Sequence, residues 1–245
     1  MELKVIVPTS LSEITLEQYQ RFARLEGDEE FLTKKMLEIF CNVPFDKLPN
    51  VRFKDVSSVF KHINVMMNDK PSLTQRFTLN GQEFGFIPSL EDITYGEFVD
   101  LDSYLTDTKN LHKTMAVLYR PVIQKAGKRY DIEPYESATK YCDLMKDAPM
   151  DVVIGAILFF LDFRKRTLDG YSDLFGGGSG EDEYSSQSQF GKRWGWYTTF
   201  YSLAQGDVRR FDAVGRLPLY QCLTFLSFEK HKQETENKIL KSKLK

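Results

Sequence analysis

Apolar positions along the chain switch between a two-residue period and a three-to-four-residue period, and turn or capping residues mark each switch. Leu3, Val5 and Val7 alternate with Lys4 and Ile6 before Pro8, the pattern of a short opening strand. From Thr15 the period lengthens. Leu16, Tyr19, Phe22 and Ala23 form one helical stripe, and Gln18 follows Thr15 at the spacing of a capping box. A second helix, Asp28 to about Cys41, should bury Phe31, Leu32, Met36, Leu37, Ile39 and Phe40. A third starts near Asp55 and carries Val56, Val59, Phe60, Ile63 and Met67 until Pro71 closes it.

Arg76–Leu79 and Glu83–Ile87 flank Asn80–Gly81, the preferred pair for a two-residue hairpin turn. Thr94 and Glu97 repeat the capping-box spacing and open a helix through Phe98, Leu101, Tyr104 and Leu105. A helix over about Asn110–Leu118 stops at Tyr119-Arg120-Pro121, and Val122–Gln124 with Tyr130–Ile132 suggests a second hairpin over Ala126-Gly127. Glu133–Met145 reads as helical, and Pro149 then opens an apolar helix bracketed by Asp151 and Asp162. Its apolar run is too short to span a membrane. Beyond Thr167 the composition changes to glycine, serine and acid, the signature of a flexible loop or linker. Phe190–Ala204 reads as an aromatic-rich helix, Asp207 caps a short one, and Pro218 starts a terminal helix that is apolar to Phe228 and polar to Lys245. The pattern predicts a mainly α fold with a minor antiparallel β component. Its parts are a helical body over 1–166 with a hairpin near 75–88, a loop over 167–189, and a C-terminal helical segment over 190–245.

One stretch echoes another. Glu13-Ile14-Thr15 and Asp92-Ile93-Thr94 each precede a helix, with an aromatic five residues after the isoleucine (Tyr19 and Phe98). Duplication and the independent use of one capping solution both account for it.

Bulk composition narrows the function classes. Apolar residues make up 42% of the 245-residue chain, enough to build a substantial core. The 33 basic and 35 acidic residues leave a net charge of −2, which gives no general field for nucleic acid. Cys41, Cys142 and Cys222 are scattered among apolar neighbours and read as buried, reduced thiols, as in the cytosol. The N-terminal apolar run is too short for a signal peptide.

Candidate chemistry is sparse. His62, His112 and His231 lie on three separate predicted helices, so no metal-ligand or catalytic pairing is expected. Gly176–Gly180 resembles a phosphate loop in composition, but no Gly-Lys-Ser/Thr closes it and three acids follow. Glu97 and Asp100 share a helix face and read either as an acid/base pair or as an acidic first turn opposing the helix dipole. Arg164-Lys165-Arg166 suits the C-terminal end of the buried helix. Trp194, Tyr197 and Tyr201 fall at i, i+3 and i+7, either as a packed core stripe with Phe200 or as a base-stacking surface beside Arg193. Ile239, Leu240 and Leu244 are isolated on the charged terminal helix, where they either dock a partner or fray in solvent.

Several blocks resemble a group of tailed-bacteriophage morphogenesis proteins. They are Leu11–Tyr19, Gly85-Phe86-Ile87-Pro88, Thr94–Asp102, Met115–Pro121, Gly195-Trp196-Tyr197 and Leu217-Pro218-Leu219 with a charged closing helix. The resemblance implies a non-enzymatic virion-assembly protein of the infected bacterium's cytoplasm, without cofactor or metal. Its partners would be other phage morphogenesis or virion proteins, with no specific nucleic acid and no membrane, and oligomerisation is open. Within that group the features favour a factor like a tail-assembly chaperone that holds the tape-measure protein. A structural virion component at the portal, neck or tail connector is the alternative, and a small metal-dependent phage enzyme a remote one. Trp194, Tyr197, Tyr201, Ile239, Leu240 and Leu244 are the candidate partner-binding residues.

Overall fold

The computed structural model describes residues 5–44, 53–127, 129–175 and 194–243, with the backbone alone for 53–56. It is an α+β protein. Its helices are α1 (Leu16–Phe22), α2 (Glu29–Phe40), α3 (Phe53–Met67), α4 (Tyr95–Tyr104), α5 (Leu111–Leu118), α6 (Met150–Gly170), α7 (Ser172–Phe175), α8 (Trp196–Leu203), α9 (Phe211–Gly215) and α10 (Leu219–Lys243). Strands β1 (Arg76–Leu79), β2 (Gln82–Phe86), β3 (Tyr119–Ala126) and β4 (Arg129–Ile132) form one antiparallel sheet in the order β1-β2-β3-β4.

Both expected hairpins are present. Asn80 and Gly81 take positive φ values of 49° and 80°, the conformation that a type I′ turn requires, and Leu79 pairs with Gln82. In the second hairpin a bulge between Val122 and Gln124 shifts the register against β4.

Three expectations are corrected. The described part of the opening strand, Val5–Val7, lies in no strand, and Ile6 is exposed. Over Glu133–Met145 the chain makes two short 3₁₀ turns, Ala138–Lys140 and Leu144–Asp147, instead of an α-helix. Ser137 Oγ accepts the Thr139 amide and tightens the first of these. The loop expected from Thr167 begins later, because α6 runs on to Gly170 and α7 follows; residues 176–189 lie outside the described ones. Thr167 is buried, and Tyr171 stacks on Tyr220 and hydrogen-bonds Thr224 at 2.9 Å, which holds this stretch in place. Arg164–Arg166 therefore sit inside α6 and not in its last turn.

Contacts group the chain into two units, one of Met1–Pro88 with Tyr104–Phe160 and one of Ser89–Ser103 with Leu161–Lys245. The boundaries differ from the composition-based ones, chiefly because 89–103 joins the C-terminal unit. In the first unit the sheet core is aromatic: Tyr119 meets Phe77 and Phe86 edge-on, and its hydroxyl donates to Thr74 O at 2.5 Å. Phe22 packs on Phe40 to join α1 and α2.

Each unit contains the same clasp. In the first, the Leu16 amide donates to Ala148 O and the Met150 amide to Ile14 O, both at 2.9 Å. In the second, the Tyr95 amide donates to Leu217 O at 2.8 Å and the Leu219 amide to Ile93 O at 2.9 Å. Each of these amides starts a helix and has no partner within it. The two helices of a pair satisfy each other, α1 with α6 and α4 with α10. Thr15 and Thr94 stand opposite Pro149 and Pro218 in these bridges. The threonine amides are taken by the side chains of Gln18 and Glu97, and proline has no amide to satisfy.

Candidate functional site

The aromatic helix of the second unit separates two sets of side chains. Gly195 has φ +44°, which ends the turn holding Trp194 and resets the helix, so α8 starts at Trp196. Trp196 and Phe200, one helical turn apart, face inward. The Trp196 ring meets Tyr95, Phe98 and Phe175, and Phe200 lies against Tyr95 and stacks on Phe211. Polar contacts fix the orientation. Trp196 Nε1 donates to Asp102 Oδ2 at 2.8 Å, and the other oxygen of Asp102 accepts from Arg164 Nε. Thr199 Oγ1 bonds the Tyr95 hydroxyl, whose phenol pKa burial raises well above its ordinary value.

The opposite face carries Trp194, Tyr197 and Tyr201, which are 43%, 50% and 57% exposed. This corrects the core-stripe reading. The packed residues are Trp196 and Phe200, and the i, i+3, i+7 set is the outer face. Trp194 and Tyr197 touch with ring centroids 5.6 Å apart, and Tyr197 leans on Phe211 at 5.4 Å. The turn after α8 adds charge beside this face. Arg209 donates from Nε and Nη2 to the two Asp207 oxygens at 2.8 and 2.9 Å, and Arg210 Nε lies 3.6 Å from the same carboxylate. The Arg209 side-chain and backbone hydrogen bonds, aided by the charge of Arg210, hold the Asp207 pKa below its ordinary value.

Ile239 and Leu240 stand elsewhere, near the end of α10, where every residue from His231 to Lys243 is exposed. Leu244 lies outside the described residues. Sequence reasoning placed Phe200 in a packed stripe, as observed, but gave it the wrong companions and missed the parts of Trp196 and Asp102. The i, i+4 spacing of Trp196 and Phe200 directly after a glycine was the available signal, but it depends on knowing that the helix restarts at Gly195.

The candidate chemical groups have local structural roles. Glu97 is buried and is the second half of a capping box, accepting the Thr94 amide and hydroxyl at 2.8 Å each. His62 Nε2 lies 3.2 Å from Pro8 O, His112 Nδ1 lies 3.3 Å from Gln20 Nε2, and His231 Nε2 lies 3.7 Å from Asp173. The three cysteines are buried and unbridged, and burial pushes the thiols of Cys41 and Cys222 up to about 11. An open hollow in the first unit is lined by Thr9, Ser10, Ser12, Asp69, Lys70 and Asp151, among others. Its hydroxyls are already engaged, Thr9 with Glu13 and Ser10 with Ser12. Among the described residues no group of three or more His, Cys, Asp or Glu is placed to hold a metal ion, and no helix is long and apolar enough to cross a membrane. Set against protein-family models, curated proteins and solved structures, the chain matches none.

Proposed function

We propose that the chain is a non-enzymatic virion-assembly protein of a tailed bacteriophage, acting as a tail-assembly chaperone that binds the tape-measure protein. The observation that carries this reading is the outer face of α8. Tyr197 and Tyr201 stand half exposed on a helix that Trp196, Phe200 and Asp102 lock from behind, with Trp194 against Tyr197 from the turn before it. Scattered exposed apolar residues need no explanation, but Trp and Tyr side by side with arginines nearby have the composition of binding hot spots. An anchored helix loses little conformational freedom on docking, so more of the contact energy becomes affinity. The phage part of the reading rests on the sequence blocks alone.

Co-expression of the chain with a tape-measure protein from the same phage tests the proposal. The two should co-purify, and Tyr197→Ala with Tyr201→Ala should abolish capture while leaving the melting temperature within a few degrees. Failure of the unaltered chain to capture the tape measure would sink the chaperone reading. Detection of the protein in purified virions at stoichiometric amounts would replace it with a structural role.

A further inference from the structure

The terminal helix α10 is packed only over its first part, up to the contacts of Ser227 and Lys230 with Asp173 of α7. Leu219, Cys222, Leu223 and Leu226 are buried on one side, whereas from His231 to Lys243 every residue is exposed. A solvated helical stretch of about that length is marginal by itself, since packing of one face normally sustains it. The exposed part has a face to offer. Phe225, Phe228, Lys232, Thr235, Ile239 and Ser242 follow one another at alternating three- and four-residue steps, a heptad seam on the side away from the buried residues. Phe228 is 61% exposed and Ile239 48%.

The charges decide what fits this seam. Its apolar residues are concentrated at the two ends, Phe225 and Phe228 at one and Ile239 at the other. A second helix of the same sequence running in the opposite direction sets Phe228 against Ile239 of the second copy, twice over by symmetry. The same register places Lys232 against Thr235 and next to Glu236 of the second copy, and Glu229 next to Lys243 of the second copy. On the other flank Asp173, which accepts from Ser227 Oγ at 2.5 Å and lies near His231, provides the opposite charge for Lys238 of the second copy. A parallel pairing would instead stack Lys232 on Lys232 and bring Lys238 beside Lys243.

We infer that α10 is a self-association surface on which a second copy of this chain docks antiparallel over residues 225–243. The surface is separate from the α8 face and does not depend on the tape-measure reading, because its test reads the association of the chain with itself alone.

Sedimentation velocity on the full chain at about 100 µM should show a dimer, with a dissociation constant in the micromolar range expected for so short a contact. Ile239→Asp should give monomer while the helical signal of the body is retained. Glu229→Lys and Lys243→Glu should each weaken the dimer about tenfold, and the two changes in one chain should restore it, because the pairs are then exchanged and not lost. Mixed and oxidised, Phe228→Cys and Ile239→Cys chains should cross-link to each other. A monomer at this concentration, a dimer indifferent to Ile239→Asp, a double charge variant no better than either single one, or efficient cross-linking of Ile239→Cys to itself would each overturn the inference.

Discussion

The clasps that join α1 to α6 and α4 to α10 use the same atoms to opposite ends. In both, two helix-starting amides exchange bonds with the carbonyls ahead of the partner helix, and a threonine faces a proline. What surrounds them differs. In the first unit the crowded limb is the proline-led helix: a Cβ on Gly155 of α6 would come within 2.5 Å of the Ser72 carbonyl oxygen. In the second the crowded limb is the threonine-led one: a Cβ on Gly96 of α4 would lie 2.9 Å from the Gly215 carbonyl oxygen. At the corresponding places the other limb is open, with Glu17 and Thr224 both exposed. The clasp is therefore a local device indifferent to its surroundings, and the neighbouring chain decides which limb must be bare. The order of the segments also bears on their origin. Both threonine limbs precede both proline limbs, whereas a tandem copy would alternate them, so the shared capping solution is the simpler account of the echo.

The largest expected effects lie at the two glycines. Gly155→Ala should destabilise the first unit by about 3 kcal/mol and Gly96→Ala the second by about 2 kcal/mol, since backbone must move in each case. The gain of about 1 kcal/mol from alanine's helix propensity is too small to offset this. Glu17→Ala should change stability by about 0.5 kcal/mol or less, and Thr224→Ala by about 1 kcal/mol, because it also removes the hydrogen bond to Tyr171. Urea unfolding read by hydrogen exchange assigns each loss to its unit. Equal losses at all four positions would mean that the limbs do not differ in the way described.

A smaller difference should separate the caps. Thr15 faces a neutral Gln18, whose amide also donates to Ile39 O at 2.8 Å, whereas Thr94 donates to the buried carboxylate of Glu97. Thr15→Ala should cost about 1 kcal/mol, the usual loss of an N-cap. Thr94→Ala should cost about 2 kcal/mol, because it also strips a donor from a buried acid. Thermal melts of the two single variants, with Thr→Ser as the control that keeps the hydroxyl, distinguish these values.

How much of this was legible depended on the range of the interaction. Both capping boxes and the Asn80–Gly81 turn were readable because their partners lie within three residues. The bridges to Pro149 and Pro218 were not, since proline ahead of a helix is common and nothing local names a partner more than a hundred residues away. The outer face of α8 was half legible. Its residues were identified, but helical spacing cannot tell which of two aromatic faces is buried, and Gly195 moved the start of the helix. The heptad on α10 was hidden because only Phe225, Phe228 and Ile239 are large and apolar in it, and the seam became visible once the opposite side was seen to be buried.

The smallest effect concerns a buried polar tether on α1. Gln20 on α1 is buried, and its amide nitrogen donates to Thr108 O at 2.8 Å and approaches His112 Nδ1 at 3.3 Å. The equivalent place on α4 is Val99, which has no such group. An amide nitrogen only donates, so Nδ1 must accept and the imidazole must be neutral. Burial first, then the charges of Lys146, Lys113 and Arg24 against the opposing Asp143, lower the His112 pKa below its ordinary 6.5. A histidine depressed in the folded state binds fewer protons there than when unfolded. Its contribution is therefore complete above about pH 6.5 and declines as pH falls through the lowered value. Hydrogen exchange of α1 and α5, corrected for the intrinsic pH dependence of exchange, should show protection lost between pH 7 and 5, with α4, which carries no histidine, unaffected. His112→Gln should flatten that dependence, and an unchanged slope in this variant would assign the loss to another group.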